Sequence, residues 1–239
     1  MIALTVGTWH DHVVSALKDI LRPYVVTGRR LARRELRLSD IGYSRQVSYS
    51  WCGEDIWLAE YFGEQTDGFY VDVGAFDPFN VSNTLLLCRR GWSGINIEPD
   101  PAALARFERF RPRDINLGVA VGENVGEAPF VLNGSFSGLE GPSHLWGMSD
   151  GAKRITVRTR PLRDILAEHC PDKEIEFLDV DCEGGELEVL RSSDWAKYRP
   201  RVVLVEIHPG GSEEPAEFLA KVGYRQAAVL GLTRVFDRD

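Results

Sequence analysis

Cysteine is scarce in this 239-residue chain. Cys52, Cys88, Cys170 and Cys182 are widely separated and form no C-x-x-C pair. That spacing argues against a cysteine-built zinc site and favours buried reduced thiols over bridges. Long apolar runs are missing too. No stretch reaches the about 18 uninterrupted apolar residues that a membrane span requires. The opening MIALTVGTWHDHVVSALKDIL is broken by His10, Asp11, His12 and Lys18 before a signal-peptide core can form. The chain therefore reads as cytoplasmic, with no membrane partner. Positive charge is also in deficit: Lys+Arg total 28 against 36 Asp+Glu, a formal net charge of -8. No global field attracts nucleic acid. Neither G-x-G-x-x-G nor G-x-x-x-x-G-K-[ST] occurs, which removes the main support for a dinucleotide or triphosphate ligand.

What is present is the composition of a soluble globular protein, 44% hydrophobic and 27% charged. The charge is unevenly placed, with a net +4 over residues 1–50 and -12 over residues 51–239. Within the first part, TGRRLARRELRLSD sets Arg29, Arg30, Arg33, Arg34 and Arg37 around Leu31 and Leu36 at helical spacing. Residues 1–47 are thus predicted as a basic helical arm. Its arginines read either as a solvated face or as an arm closing over an anionic ligand or carrier. His10 and His12 have no third ligand nearby and read as a solvated segment.

From about residue 51 the pattern alternates between strand-like and helix-like segments, the mark of a parallel sheet covered by helices. GFYVDVG, INIE, DINLGVAVG, EIEFLDVD and RVVLVEIH are predicted strands, while PDPAALARFERFRPRD, GGELEVLRSSDW and SEEPAEFLAKVGY are predicted helices. RQAAVL and TRVFD around Gly231 form an antiparallel hairpin that ends the sheet. EAPFVL and RITVRTR read as strands flanking a long Gly- and Ser-rich loop, in which residues 133–150 face the substrate. His144 and Trp146 are its candidate substrate-binding residues.

The most informative stretch is FYVDVGAFDP, where an apolar strand runs into Asp72 and then Gly74 at the carboxyl edge of the expected sheet. Open α/β sheets bind ligands at that edge. Gly74 permits close backbone approach, and Asp72 and Asp77 can accept hydrogen bonds from a cationic or hydroxylated group. Glu98 ends the next strand, at the distance along the chain where a carboxylate reaches ribose hydroxyls in nucleoside sites. An acidic glycine turn with a ribose-binding carboxylate suits a positively charged nucleoside, and S-adenosylmethionine matches that description. Asp72 and Glu98 also admit a purely structural reading.

A second constellation stands at later strand ends: LDVDCEGGE carries Asp179, Asp181, Glu183 and Glu186, and VLVEIHP carries Glu206 and His208. With period-2 alternation Asp179 shares a face with Asp181, and Glu206 with His208, so the two groups meet. Three readings stay open: a general base with its orienting carboxylate, a divalent-metal site, and a charge network that shapes the pocket. His208 is the best base by its near-neutral reference pKa, with Asp181 as its partner. Asp181, Glu206 and His208 would accept Mg²⁺ or Mn²⁺, but no fixed ligand spacing demands a metal and none is expected.

These residues resemble the FkbM-type S-adenosylmethionine-dependent methyltransferases. The matching stretches are SWCGEDIWLAEYF, GFYVDVGAFDP, VSNTLLLCRRGWSGINIEPDP, RPRDINLGVAVG, TRPLRDIL, FLDVDCEGGELEVL and VVLVEIHP, in family order over roughly residues 48–210. The resemblance implies a class I methyltransferase, Rossmann-like fold for residues 48–239. Such a fold has a seven-stranded, mostly parallel sheet with an antiparallel last strand. It implies S-adenosyl-L-methionine as cofactor and hydroxyl groups of sugars, cyclitols or polyketide-type natural products as acceptors. Asp72, Gly74 and Ala75 then match the methionine-side turn and Glu98 the ribose ligand. Ser82 and Asn83 line the cofactor pocket, joined by Asp179, and Asp181 and Glu183 form the acidic motif beside the reacting methyl. Glu206 is assigned to the substrate.

The expected activity is O-methyl transfer to a small hydroxylated acceptor, which the basic arm allows to be phosphorylated or carrier-bound. N-methylation, a nicotinamide-dependent oxidoreductase and a non-catalytic cofactor-binding protein are the competing readings. A homo-oligomer is compatible with all of them.

Overall fold

Strand β1 (Phe69–Val73) is an unbroken run of buried residues, as a strand covered on both faces must be. β2 (Ser93–Ile97), β8 (Phe177–Val180) and β9 (Val202–Glu206) share that character. With β3 (Ile115–Leu117), β10 (Arg225–Leu230) and β11 (Thr233–Asp237) they make a seven-stranded sheet in the order β10-β11-β9-β8-β1-β2-β3. Every determined pairing is parallel except those of β11, which runs antiparallel to both β9 and β10. This is the class I methyltransferase arrangement with the expected terminal hairpin. The computed structural model describes residues 47–140, 152–208 and 210–238. The helix predicted in the basic arm, and His144 and Trp146, lie outside the described residues.

Helices α1 (Glu54–Tyr61) and α2 (Leu85–Arg89) supply one apolar layer, in which Leu58 and Leu87 pack with Tyr70, Trp92, Phe177 and Leu204. The opposite layer comes from α4 (Leu162–His169), α5 (Glu186–Arg191) and α6 (Glu214–Lys221), which bury Ile165, Leu190 and Leu219 against Val71, Val73 and Val205. α3 (Pro101–Phe110) begins where the sequence places it. Pro101 occupies its first turn, and Asp100 caps it by accepting the Ala102 N–H at 2.9 Å. Among the described residues no helix is long and apolar enough to cross a membrane.

One departure from the sequence reading and one addition to it shape the site. The segment DINLGVAVG is two strands rather than one: β3 joins the large sheet, and β4 (Ala120–Val121) leaves it to pair with β7 (Lys153–Arg160). The strands predicted on either side of the long loop are β5 (Gly126–Leu132) and β7, which pair antiparallel with each other. With β6 (Gly138–Leu139) they form a second sheet, β4-β7-β5-β6, around its own small core of Ala120, Phe130 and Val157.

Among the described residues Trp92 is the largest fully buried side chain. Its ring meets Phe62 edge-on, and its Nε1–H donates to the Gln65 carbonyl at 3.0 Å. Trp92→Ala therefore opens a cavity and strands a carbonyl. It is expected to cost about 3–5 kcal/mol of stability, read as a lowered denaturation midpoint in guanidinium.

Candidate active site

The carboxyl ends of β1, β2, β8 and β9 open on a cavity of about 290 Å³. β1 lies where the strand order reverses, the usual ligand position in such sheets. Gly74 lets the strand ends converge there. Its φ is 85°, and a Cβ on it would stand 1.7 Å from the Asp181 carbonyl oxygen. No larger residue fits. The Gly74 N–H donates to the Ile97 carbonyl at 3.0 Å, binding this turn to the end of β2.

Glu98 follows Ile97 and lines the cavity. Its Oε2 accepts the Phe76 N–H at 2.8 Å and its Oε1 the Asp100 N–H at 2.7 Å. Burial nevertheless pushes the carboxyl up to about 7. Each oxygen retains lone-pair capacity for a hydroxyl donor, as a ribose ligand needs. Asn83 lines the cavity as well, and its Nδ2 donates to Asp179 at 2.8 Å.

Asp72, Ala75, Ser82 and Asp179 are buried and do not line the cavity. They were expected to contact the cofactor; Asp72 and Asp179 lie within β1 and β8, and Ala75 and Ser82 in the segment between β1 and α2. Asp72 and Asp179 are register partners on neighbouring parallel strands, one position before Val73 and Val180. Asp72 accepts the Thr84 hydroxyl at 3.0 Å, while Ser82 Oγ accepts the Leu85 N–H at 3.1 Å. Asp77 is likewise engaged locally, by the N–H groups of Phe79 and Asn80 and by an ion pair with Arg106.

The second constellation does assemble. Asp181, Glu183, Glu206 and His208 all line the cavity. Nε2 of His208 is 3.1 Å from Oε2 of Glu206 and 3.5 Å from Oε2 of Glu183. Burial, and then the charge of Glu206, hold the Asp181 carboxyl well above the usual carboxylate range, and the two carboxyl groups share a hydrogen bond. Burial, followed by Asp181 and Glu186, pushes Glu183 up to about 8. Glu183 is also one of three described non-glycine residues with positive φ, at 57°. Such a conformation costs about 1–3 kcal/mol and clusters at functional sites.

Residues the sequence reading did not single out complete the walls. Glu54 lines the cavity from the start of α1, accepting the Cys52 N–H at 2.7 Å and the Thr233 hydroxyl at 3.2 Å. Its signal was its place in the SWCGEDIWLAEYF stretch. Opposite in character is the wall supplied by the second sheet and the 3-10 turn Gly134–Phe136, where Val121, Phe130, Phe136 and Leu139 face the cavity.

The family model described as the FkbM methyltransferase domain matches residues 72–225. The chain belongs to this family. Its cofactor is accordingly S-adenosylmethionine, and methyl transfer is its chemistry. A comparison with curated proteins returns no significant match. Among solved structures, a TehB-like SAM-dependent methyltransferase from Corynebacterium glutamicum is 12% identical, with a TM-score of 0.40 over 90% of this chain and 99% of that one. A precorrin-6y C5,15-methyltransferase from Geobacter metallireducens is 12% identical, with a TM-score of 0.42 over 76% and 86% of the two chains. The fold is carried by the strand order itself rather than by these likenesses.

Glu98, Glu183 and Glu206 all bind a proton more tightly in the folded chain than at their ordinary value of 4.5. Their contribution to stability is therefore complete below that value and is lost as pH rises through about 7 to about 8. Thermal unfolding of the ligand-free protein should show the midpoint falling between about pH 5 and about pH 8.5, and Glu183→Gln should make that fall shallower.

Proposed function

We propose that this FkbM-family enzyme transfers a methyl group to a hydroxyl of a small, uncharged acceptor of the sugar, cyclitol or polyketide type. The observation that carries the reading is the meeting of Asp181, Glu206 and His208 in the same cavity as Gly74 and Glu98. A base cluster thus stands beside the residues that suit the cofactor. The described lining contains no Lys or Arg and five carboxylates, which favours a neutral acceptor over a phosphorylated one. The apolar wall of Val121, Phe130, Phe136 and Leu139 gives a hydrocarbon face of such an acceptor a surface to bury.

The cavity fits the cofactor on its own features. The Gly74 cradle admits no side chain, Glu98 offers carboxylate oxygens at the end of β2, and Asn83 adds a polar group. S-adenosylmethionine supplies a methyl group whose bond to sulfur breaks as the acceptor oxygen bonds to carbon, the electron pair staying on a neutral thioether. The chain's own residues hold the acceptor and take its proton. His208 receives that proton at Nε2, and Glu206 at 3.1 Å stabilises the imidazolium. Asp181, itself protonated, donates to Glu206 and fixes its orientation. Positioning of the acceptor oxygen behind the methyl carbon accounts for much of the remaining acceleration.

The carboxylate surplus supports amine methylation as a second reading, since a cationic amine would be drawn to the same floor. Activity on paired hydroxyl and amine acceptors separates the two. His208→Ala is expected to lower kcat by about 10²–10⁴-fold while leaving S-adenosylhomocysteine affinity within a few-fold in calorimetry. Glu98→Ala should do the reverse, weakening that affinity most. Failure of the intact chain to bind S-adenosylhomocysteine would sink this account.

A further inference from the structure

Five carboxylates line the cavity, and among the described lining residues no Lys or Arg offsets them. Three of the side chains on its floor converge further than an acid–base pair requires. One carboxylate oxygen from each of Glu183 and Glu206 and one imidazole nitrogen of His208 all lie within 4.8 Å of one another. Oε2 of Glu206 is sealed from solvent and accepts no hydrogen bond, although Nε2 of His208 faces it at 3.1 Å. An imidazole nitrogen and a carboxylate oxygen about 3 Å apart stand as adjacent ligands of one octahedral ion do.

We propose that Glu183, Glu206 and His208 form a divalent-cation site on the floor of the cavity. Two carboxylates and one imidazole suit an ion of Mn²⁺ or Mg²⁺ character. Ligand atoms on such an ion, with bonds of about 2.1 Å, stand up to about 4.2 Å apart. Adjacent ligands stand about 3 Å apart, so the 3.1 Å and 3.5 Å contacts of His208 already fall in the range that one ion would bridge. The set differs from the one suggested by the strand pattern, Asp181 with Glu206 and His208. Asp181 instead hydrogen-bonds to Glu206 and orients it, as outer partners of metal ligands commonly do. Glu183 belongs because its left-handed backbone turns its carboxylate toward His208. The site opens on the same cavity as Gly74 and Glu98. An ion there would hold the acceptor oxygen and make its hydroxyl more acidic. His208 would then serve as a ligand in place of the base role given to it above, and the proton would pass to water. That role rests on the hydroxyl-acceptor reading, whereas binding of the ion does not.

The test is titration of the intact, cofactor-free chain with Mn²⁺, read by loss of the free-ion electron paramagnetic resonance signal. S-adenosylhomocysteine calorimetry runs on the same samples. One Mn²⁺ per chain is expected, bound at least tenfold more weakly by His208→Ala and Glu183→Gln, with S-adenosylhomocysteine still bound by both. If a variant fails to fold, broadening of the His208 ring resonances of the intact chain by sub-stoichiometric Mn²⁺ reads the same site. No Mn²⁺ uptake by a chain that binds S-adenosylhomocysteine overturns the proposal, as does unchanged uptake in the folded variants. Loss of S-adenosylhomocysteine binding by the intact chain would instead count against the functional reading, whatever the Mn²⁺ result.

Discussion

The site depends on one steric constraint, the contact between the backbone at Gly74 and the carbonyl of Asp181. The two approach so closely that no side-chain carbon fits between them. That contact joins the turn after β1 to the loop after β8, and the Gly74 N–H ties the same turn to the end of β2. Glu98 and Asp181, more than eighty residues apart in sequence, are set on either side of one glycine. A hydrogen atom in place of a side chain thus lets Glu98 and Asp181 line one cavity.

Beneath this turn runs a row of polar side chains at one level of the sheet: Asn116, Asn96, Asp72 and Asp179 are successive register partners across β3, β2, β1 and β8. Buried Arg111 anchors the row, pairing with Asp114 at 2.8 Å and donating to Thr84 at 3.1 Å, which in turn donates to Asp72. Such a layer is expensive to desolvate, and removing one partner costs more than the whole arrangement contributes. Its role is geometric. It fixes the end of β1 and, through Asn83 and Asp179, the cavity wall on that side.

The sheet was legible because its strands are short apolar runs ending in Gly or an acidic residue, and helix α3 carries Asp100 and Pro101 at its start. Glu98, Glu206 and His208 were legible for the same reason, each standing at a strand end where side-chain direction follows from alternation. The break between β3 and β4 was not, because the chain reads as one apolar stretch while pairing with two different sheets. Glu54 escaped because its approach to the cavity depends on how α1 packs, not on any local spacing. Asp72 illustrates the limit of a motif: its place beside Gly74 is plain in the sequence, but its burial and the hydrogen bond it accepts from Thr84 depend on tertiary packing.

The second sheet has a consequence for how this enzyme type can diversify. Every strand in it, together with the turn bearing Phe136, comes from the stretch between β3 and α4, whereas the Gly74 turn, Glu98 and the acidic floor come from outside that stretch. The apolar wall is therefore encoded as one contiguous cassette. Insertions, deletions or exchange within it would reshape that wall while leaving the Gly74 turn, Glu98 and the acidic floor to their own parts of the chain. Recombination at two junctions is enough to move the wall from one scaffold to another.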